Sequence, residues 1–124
     1  IVKTPKGDVD LIDVHFENTN AGAKEHLKKT LEWCKNKKIK PIIAGDFNMK
    51  ATEDLRALAE EDYHISYLIK PYKSFMPTKF SHDQVPITLD YIIAHKKKFK
   101  MSDVKCINND VSDHNPVIAT VSLI

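Results

Sequence analysis

The chain has 124 residues, 42% of them hydrophobic and 29% charged, with a net charge of +2. That is the profile of one small globular domain or a piece of a larger one, and no apolar run is long enough to span a membrane. Of the nineteen basic residues only Arg56 is arginine, so forks for two-handed phosphate capture are scarce, which argues against a nucleic-acid binder of the basic-patch kind.

The chain opens at Ile1 with neither Met nor a signal-like segment. That start suggests a fragment or a mature chain, and no cellular address is readable from it. The first eighteen residues, "IVKTPKGDVDLIDVHFEN", predict a hairpin turned by Pro5-Lys6-Gly7. Val9 to Phe16 has the apolar density of a strand covered on both faces. Ala23 to Lys38 predicts a helix, because Ala23, Leu27, Leu31 and Cys34 recur at spacings of four, four and three. Lys35, Lys37 and Lys38 crowd its C-terminus, where positive charge suits the helix dipole, and Pro41 stops it.

Pro41 to Gly45 predicts a short buried strand. Thr52 is the expected N-cap of a second helix, with Glu53 and Asp54 in its first turn and Leu55 and Leu58 facing inward. Asp62 to Phe80 mixes aromatics with Pro71 and Pro77 and keeps no period, so it reads as loop with short extended pieces. Ile87 to Ala94, Met101 to Ile107 and Val117 to Leu123 predict three strands, and Lys96, Lys97 and Lys98 make a solvated turn between two of them. Cys34 and Cys106 have no paired spacing and read as small core residues. The expected architecture is α/β (α+β): one mixed, mainly antiparallel sheet with two helices on one face. Its other face must be covered by something else.

Four stretches place polar groups at strand ends: His15 in "IDVHFEN", Asp46 and Asn48 in "AGDFNM", Asp90 in "TLDYII", and Asp113 and His114 in "VSDHNPV". In open α/β sheets, ligands gather where strands end. Residues two apart on an extended segment point the same way, so Asp46 and Asn48 would face one site while Phe47 turns into the core. A carboxylate offers hard oxygens to a divalent cation, a neutral amide suits a developing negative charge, and a carboxylate beside an imidazole fixes its tautomer. Taken singly, "GDFN" and "SDHNP" read as turns and His15 as a core histidine. Together, three aspartates, an asparagine and two histidines suit metal-assisted phosphoryl transfer.

The series "IIAGDFNM", "LDYII" and "SDHNPVIATV", in that order, resembles the endonuclease/exonuclease/phosphatase superfamily, with the deoxyribonuclease-like fold. "VHFEN" is similar to that family's catalytic-histidine strand. The resemblance runs from about Asp8 to the C-terminus. It implies a metal-dependent hydrolase of phosphate esters, with Mg²⁺ (or Mn²⁺) as cofactor. By the same resemblance Asp46 orients or deprotonates the attacking water, and Asn48 supports the pentacovalent phosphate. His114 contacts the scissile phosphate with Asp113 beside it, and Asp90 orients a histidine, expected to be His15. The metal set implied is Asp113, Asp46 and Asn48, with a principal glutamate expected in a missing N-terminal half.

Family members are roughly double this length, so residues 1–124 are expected to be the C-terminal half of a four-layer αββα sandwich. The bare sheet face would then be covered by that missing half or by a second copy. The expected substrate is a phosphate ester, whether nucleic acid, lipid head group or small molecule. Phe75, Lys79, Phe80 and His82 lie in the variable loop where such proteins contact substrate. The competing reading is a non-catalytic binding or assembly module on the same scaffold.

Overall fold

The computed structural model describes residues 1–77 and 86–124. Along the described residues run β1 (Val2–Thr4), β2 (Gly7–Val9), β3 (Leu11–His15), α1 (Asn20–Asn36), β4 (Ile42–Asp46), α2 (Thr52–Ala59) and β5 (Tyr63–Ile65). They are followed by α3 (Ser66–Ile69), β6 (Asp90–His95), β7 (Phe99–Cys106) and β8 (Val117–Leu123). The central sheet has the order β3-β4-β6-β5, and β1-β2 and β7-β8 form two antiparallel ribbons. β3 and β4 are parallel, with α1 as the crossover; β4–β6 and β5–β6 are antiparallel.

α1 forms where the apolar stripe predicts it. Ala23, Leu27 and Cys34 are buried and Leu31 packs beside them. Its N-cap is Thr19, whose hydroxyl accepts from the Gly22 N–H at 3.1 Å. Leu55 and Ala59 of α2 enter the same core, together with Ile43, Phe47, Tyr91, Ile93 and Ile65. Both long helices therefore cover one face of the central sheet.

On the opposite face, β7-β8 packs Phe99, Met101, Val121 and Leu123 against Ile42 and Ala94. β3 alternates exposed and half-buried, and Leu11 is 53% exposed. The expectation that Val9 to Phe16 is covered on both faces is therefore corrected. The segment divides into the end of β2 and β3, and β3 is covered only on the helix side among the described residues.

Three further expectations change. Thr52 does not cap α2; Ala51 holds the N-cap position, and the Thr52 hydroxyl sits 3.1 Å from the buried Tyr91 hydroxyl instead. Residues 63–69, read as irregular, form β5 and α3. The outer strands separate from the central sheet as ribbons rather than extending it. Cys34 is buried and Cys106 half-buried, and both are free.

Candidate functional site

Strand register builds the site. His15 pairs with Asp46 across the parallel β3–β4 ladder, and Asp46 pairs with Asp90 across β4–β6. Ile12, Val14, Ile43, Tyr91 and Ile93 occupy the helix side of these strands. Strict alternation then puts His15, Asp46 and Asp90 on the other face, as one row across three strands.

Gly45 makes this row possible. Its φ is +143°, and a Cβ built there would meet the Val14 carbonyl oxygen at 2.0 Å. Only glycine lets β4 lie this close to β3 at the strand end. Phe47 is fully buried against Phe16 and Tyr91, with ring centroids 5.1 and 5.5 Å away, as the acid-aromatic-amide order predicts.

The fourth member comes from the loop before β8. His114 Nδ1 lies 2.8 Å from Asp90 Oδ2, and its Nε2 lies 3.9 Å from Asp46 Oδ2. His15 Nε2 approaches the same Asp46 oxygen at 3.7 Å. The histidine that Asp90 holds is therefore His114, not His15. The reason is topological, since the β7–β8 loop folds over the start of β6 while His15 stands one strand further off. Ligand atoms of Asp46, Asp90 and His114 all lie within 4.8 Å of one another.

Asn48 is 8% exposed and takes φ +50°, so it is not extended as the alternation argument assumes. Its backbone N–H donates to Asp46 Oδ1 at 2.9 Å, and its side-chain Nδ2 donates to the Phe16 carbonyl at 2.7 Å. It ties the ends of β3 and β4 together and fixes the Asp46 carboxylate, leaving Oδ2 as the oxygen turned to the two histidines. Asp113 is exposed and stands outside the 4.8 Å group. Its carbonyl accepts from Met76 N–H at 2.6 Å, and its charge reaches His114. Phe75 packs on the His114 ring at 5.1 Å and bridges to both His114 and Ile87. Lys79, Phe80 and His82 lie outside the described residues.

Two supporting residues carry no sequence signal. Ser74 is fully buried, and its Oγ accepts from the Leu89 and Asp90 N–H groups at 3.0 Å each. The Tyr72 hydroxyl donates to the Asp90 carbonyl at 2.7 Å. Both sit in an aperiodic stretch, so no pattern could single them out.

Electrostatics follow from this packing. Burial pushes the Asp90 carboxyl up from its ordinary value, and hydrogen bonds from His114 and Ser74 offset that only in part. Burial pulls His114 down, yet the Asp90 hydrogen bond, then the charges of Asp90, Asp46 and Asp113, leave it raised. The charged form is thus more favoured than in a free imidazole, and the ring stands with Nδ1 at Asp90 and Nε2 toward Asp46. A groove of ≈ 390 Å³ opens beside it, walled by Ala44, Ile92, Pro116 and Val117 and ending on Asp90 and His114.

A hard divalent cation fits this donor set in part. Asp46 Oδ2 is a carboxylate oxygen not held by the backbone, and Asp90 supplies a second carboxylate, but the third donor is an imidazole nitrogen and hard cations take oxygen.

The fold is that of endonuclease/exonuclease/phosphatase structures. A structure of a conserved protein of unknown function from Enterococcus faecalis matches with a TM-score of 0.73 at 19% identity, over 92% of this chain and 50% of that one. An endonuclease/exonuclease/phosphatase family protein from Bacteroides thetaiotaomicron matches at 0.61 and 18%, over 90% and 49%. The human Nocturnin catalytic domain, solved with a bound sulfate anion, matches at 0.58 and 20%, over 92% and 46%. The chain therefore spans about half the length of these neighbours. No family model and no curated protein matches it.

Proposed function

We propose that this chain carries one wall of the active site of a metal-dependent phosphate-ester hydrolase. The observation that supports the reading best is the in-register row His15–Asp46–Asp90 closed by the Asp90–His114 hydrogen bond. An acid with one oxygen fixed by a backbone N–H and the other aimed outward can hold an attacking water and take its proton. A histidine whose Nδ1 is held by a buried acid can donate from Nε2 to a phosphate oxygen as negative charge builds there. His15 flanks Asp46 from the open side and adds a second donor for the same phosphate. A Mg²⁺ or Mn²⁺ ion held through Asp46 and Asp90, with oxygen ligands from outside this chain, would supply Lewis-acid stabilisation of that charge.

Leu11, Ala44 and Ile92 face outward on the sheet side away from the helices. In this reading a further sheet, from additional chain, covers them and completes the site. The isolated chain is then inactive, and the longer protein turns over a phosphate ester. The test is a screen of both forms against a bis-ester phosphate, duplex DNA and phospholipid, with and without Mg²⁺. Metal-dependent turnover by the longer protein alone supports the proposal. Turnover by the 124-residue chain itself, or by neither form on any phosphate ester, refutes it.

A further inference from the structure

A second groove, of ≈ 550 Å³, lies between the C-terminal end of α1, the approach to β4, the start of β5 and the β6–β7 turn. His95, on its wall, is five residues from Asp90 along β6, about 17 Å at strand rise. Alternation puts His95 on the helix side and Asp90 on the other, so this groove belongs to neither the row nor the groove beside it.

Its charge is lopsided. Lys35, Lys38, Lys40 and Lys97 line it, against Glu32 and Asp62. All four lysines are exposed, and like most lysines of the chain they have no ion-pair partner among the described residues, so the groove carries their charge uncompensated except by Glu32 and Asp62. The floor is apolar, with Leu31, Leu58 and the Tyr63 ring. The His95 ring meets Tyr63 edge-on at 5.0 Å, and its Nδ1 accepts from the Lys97 N–H at 3.2 Å, which marks the ring as neutral. With His95 neutral, four lysines less two carboxylates leave the groove at +2.

The backbone fixes where Lys38 stands. α1 ends with Lys38 N–H donating to the Lys35 carbonyl at 3.1 Å and Ile39 N–H to the Cys34 carbonyl at 3.0 Å. That bond pair is a Schellman ending, whose left-handed residue is ordinarily glycine. Here it is Lys38, at φ +57°. The position carries strain that glycine would remove, and its side chain lines the groove.

We propose that this groove binds a small phosphorylated molecule: the phosphate dianion is matched by the surplus lysines, and hydroxyl groups on the ligand body donate to Glu32 and Asp62. A concave, half-apolar recess of this size fits a metabolite rather than a flat membrane.

Calorimetry and His95 ring NMR shifts on the 124-residue chain, at constant ionic strength, test it with ribose 5-phosphate, inorganic phosphate and ribose. Ribose 5-phosphate is expected to bind and move the His95 signals, with inorganic phosphate several-fold weaker and ribose silent. Lys38→Gly should weaken binding at least threefold while raising Tm by about 4 °C, because the strain is gone. Lys97→Ala, outside the strained turn, should weaken binding without that gain. Unchanged affinity in both variants, equal shifts from chloride, or binding to phosphatidate vesicles in place of ribose 5-phosphate would each overturn the proposal.

Discussion

Asp46 is held from three directions: Asn48 N–H fixes one oxygen, and His15 and His114 face the other. Its place depends on Gly45. Gly45→Ala would drive a methyl group into the Val14 carbonyl at a positive φ and is expected to cost about 3 kcal/mol or more, read as a drop in the urea midpoint. Asn48→Asp replaces the donor on the Phe16 carbonyl with an acceptor and should cost about 2 kcal/mol by the same measurement.

His114 gives a pH signature. Its folded pKa lies above the ordinary 6.5, so its contribution to stability is fully present below 6.5 and is lost as pH rises through the raised value. Asp90 is also raised, from 3.8, and loses its contribution in the same direction at lower pH. Above pH 6.5 the urea midpoint of the parent chain should therefore fall relative to His114→Gln. A constant difference across that range would contradict the assignment. At this scale the sequence is informative about identity and poor about pairing: "LDYII" and "SDHNP" mark Asp90 and His114, but only the fold brings Nδ1 to Oδ2.

The elements were legible in proportion to their length. α1 repeats its stripe over seventeen residues, enough for the period to stand out. Leu27, fully buried at its centre, should cost about 3 kcal/mol on truncation to alanine, measured by denaturant unfolding. β5 and α3 are three and four residues long and cannot show a period. Tertiary context decides them, through Tyr63 and Ile65 pairing with β6 and the Ser66 Oγ accepting from Ile92 N–H at 3.0 Å. Thr52 had the right residue type for a cap, yet a buried Tyr91 hydroxyl 3.1 Å away engages its side chain. Register was illegible for a related reason. The row His15–Asp46–Asp90 needs partners thirty-one and forty-four residues apart in sequence, and no local pattern encodes that.

At the scale of the whole molecule, a helix-covered core and a second sheet face that β7-β8 covers only in part go together with a chain about half as long as its structural neighbours. The sequence marks this through apolar strands with too few helices to cover them. What it cannot mark is the detachment of the outer strands as ribbons, because that depends on how β7-β8 settles on Ile42 and Ala94. The role proposed for Asp46 is to work on the water of a phosphate-ester hydrolysis. The most direct measurement is kcat on a bis-ester phosphate with Mg²⁺ for the proposed longer protein and its Asp46→Ala variant. A loss of about 10³-fold with the fold intact is expected. Equal kcat in the two proteins would contradict it.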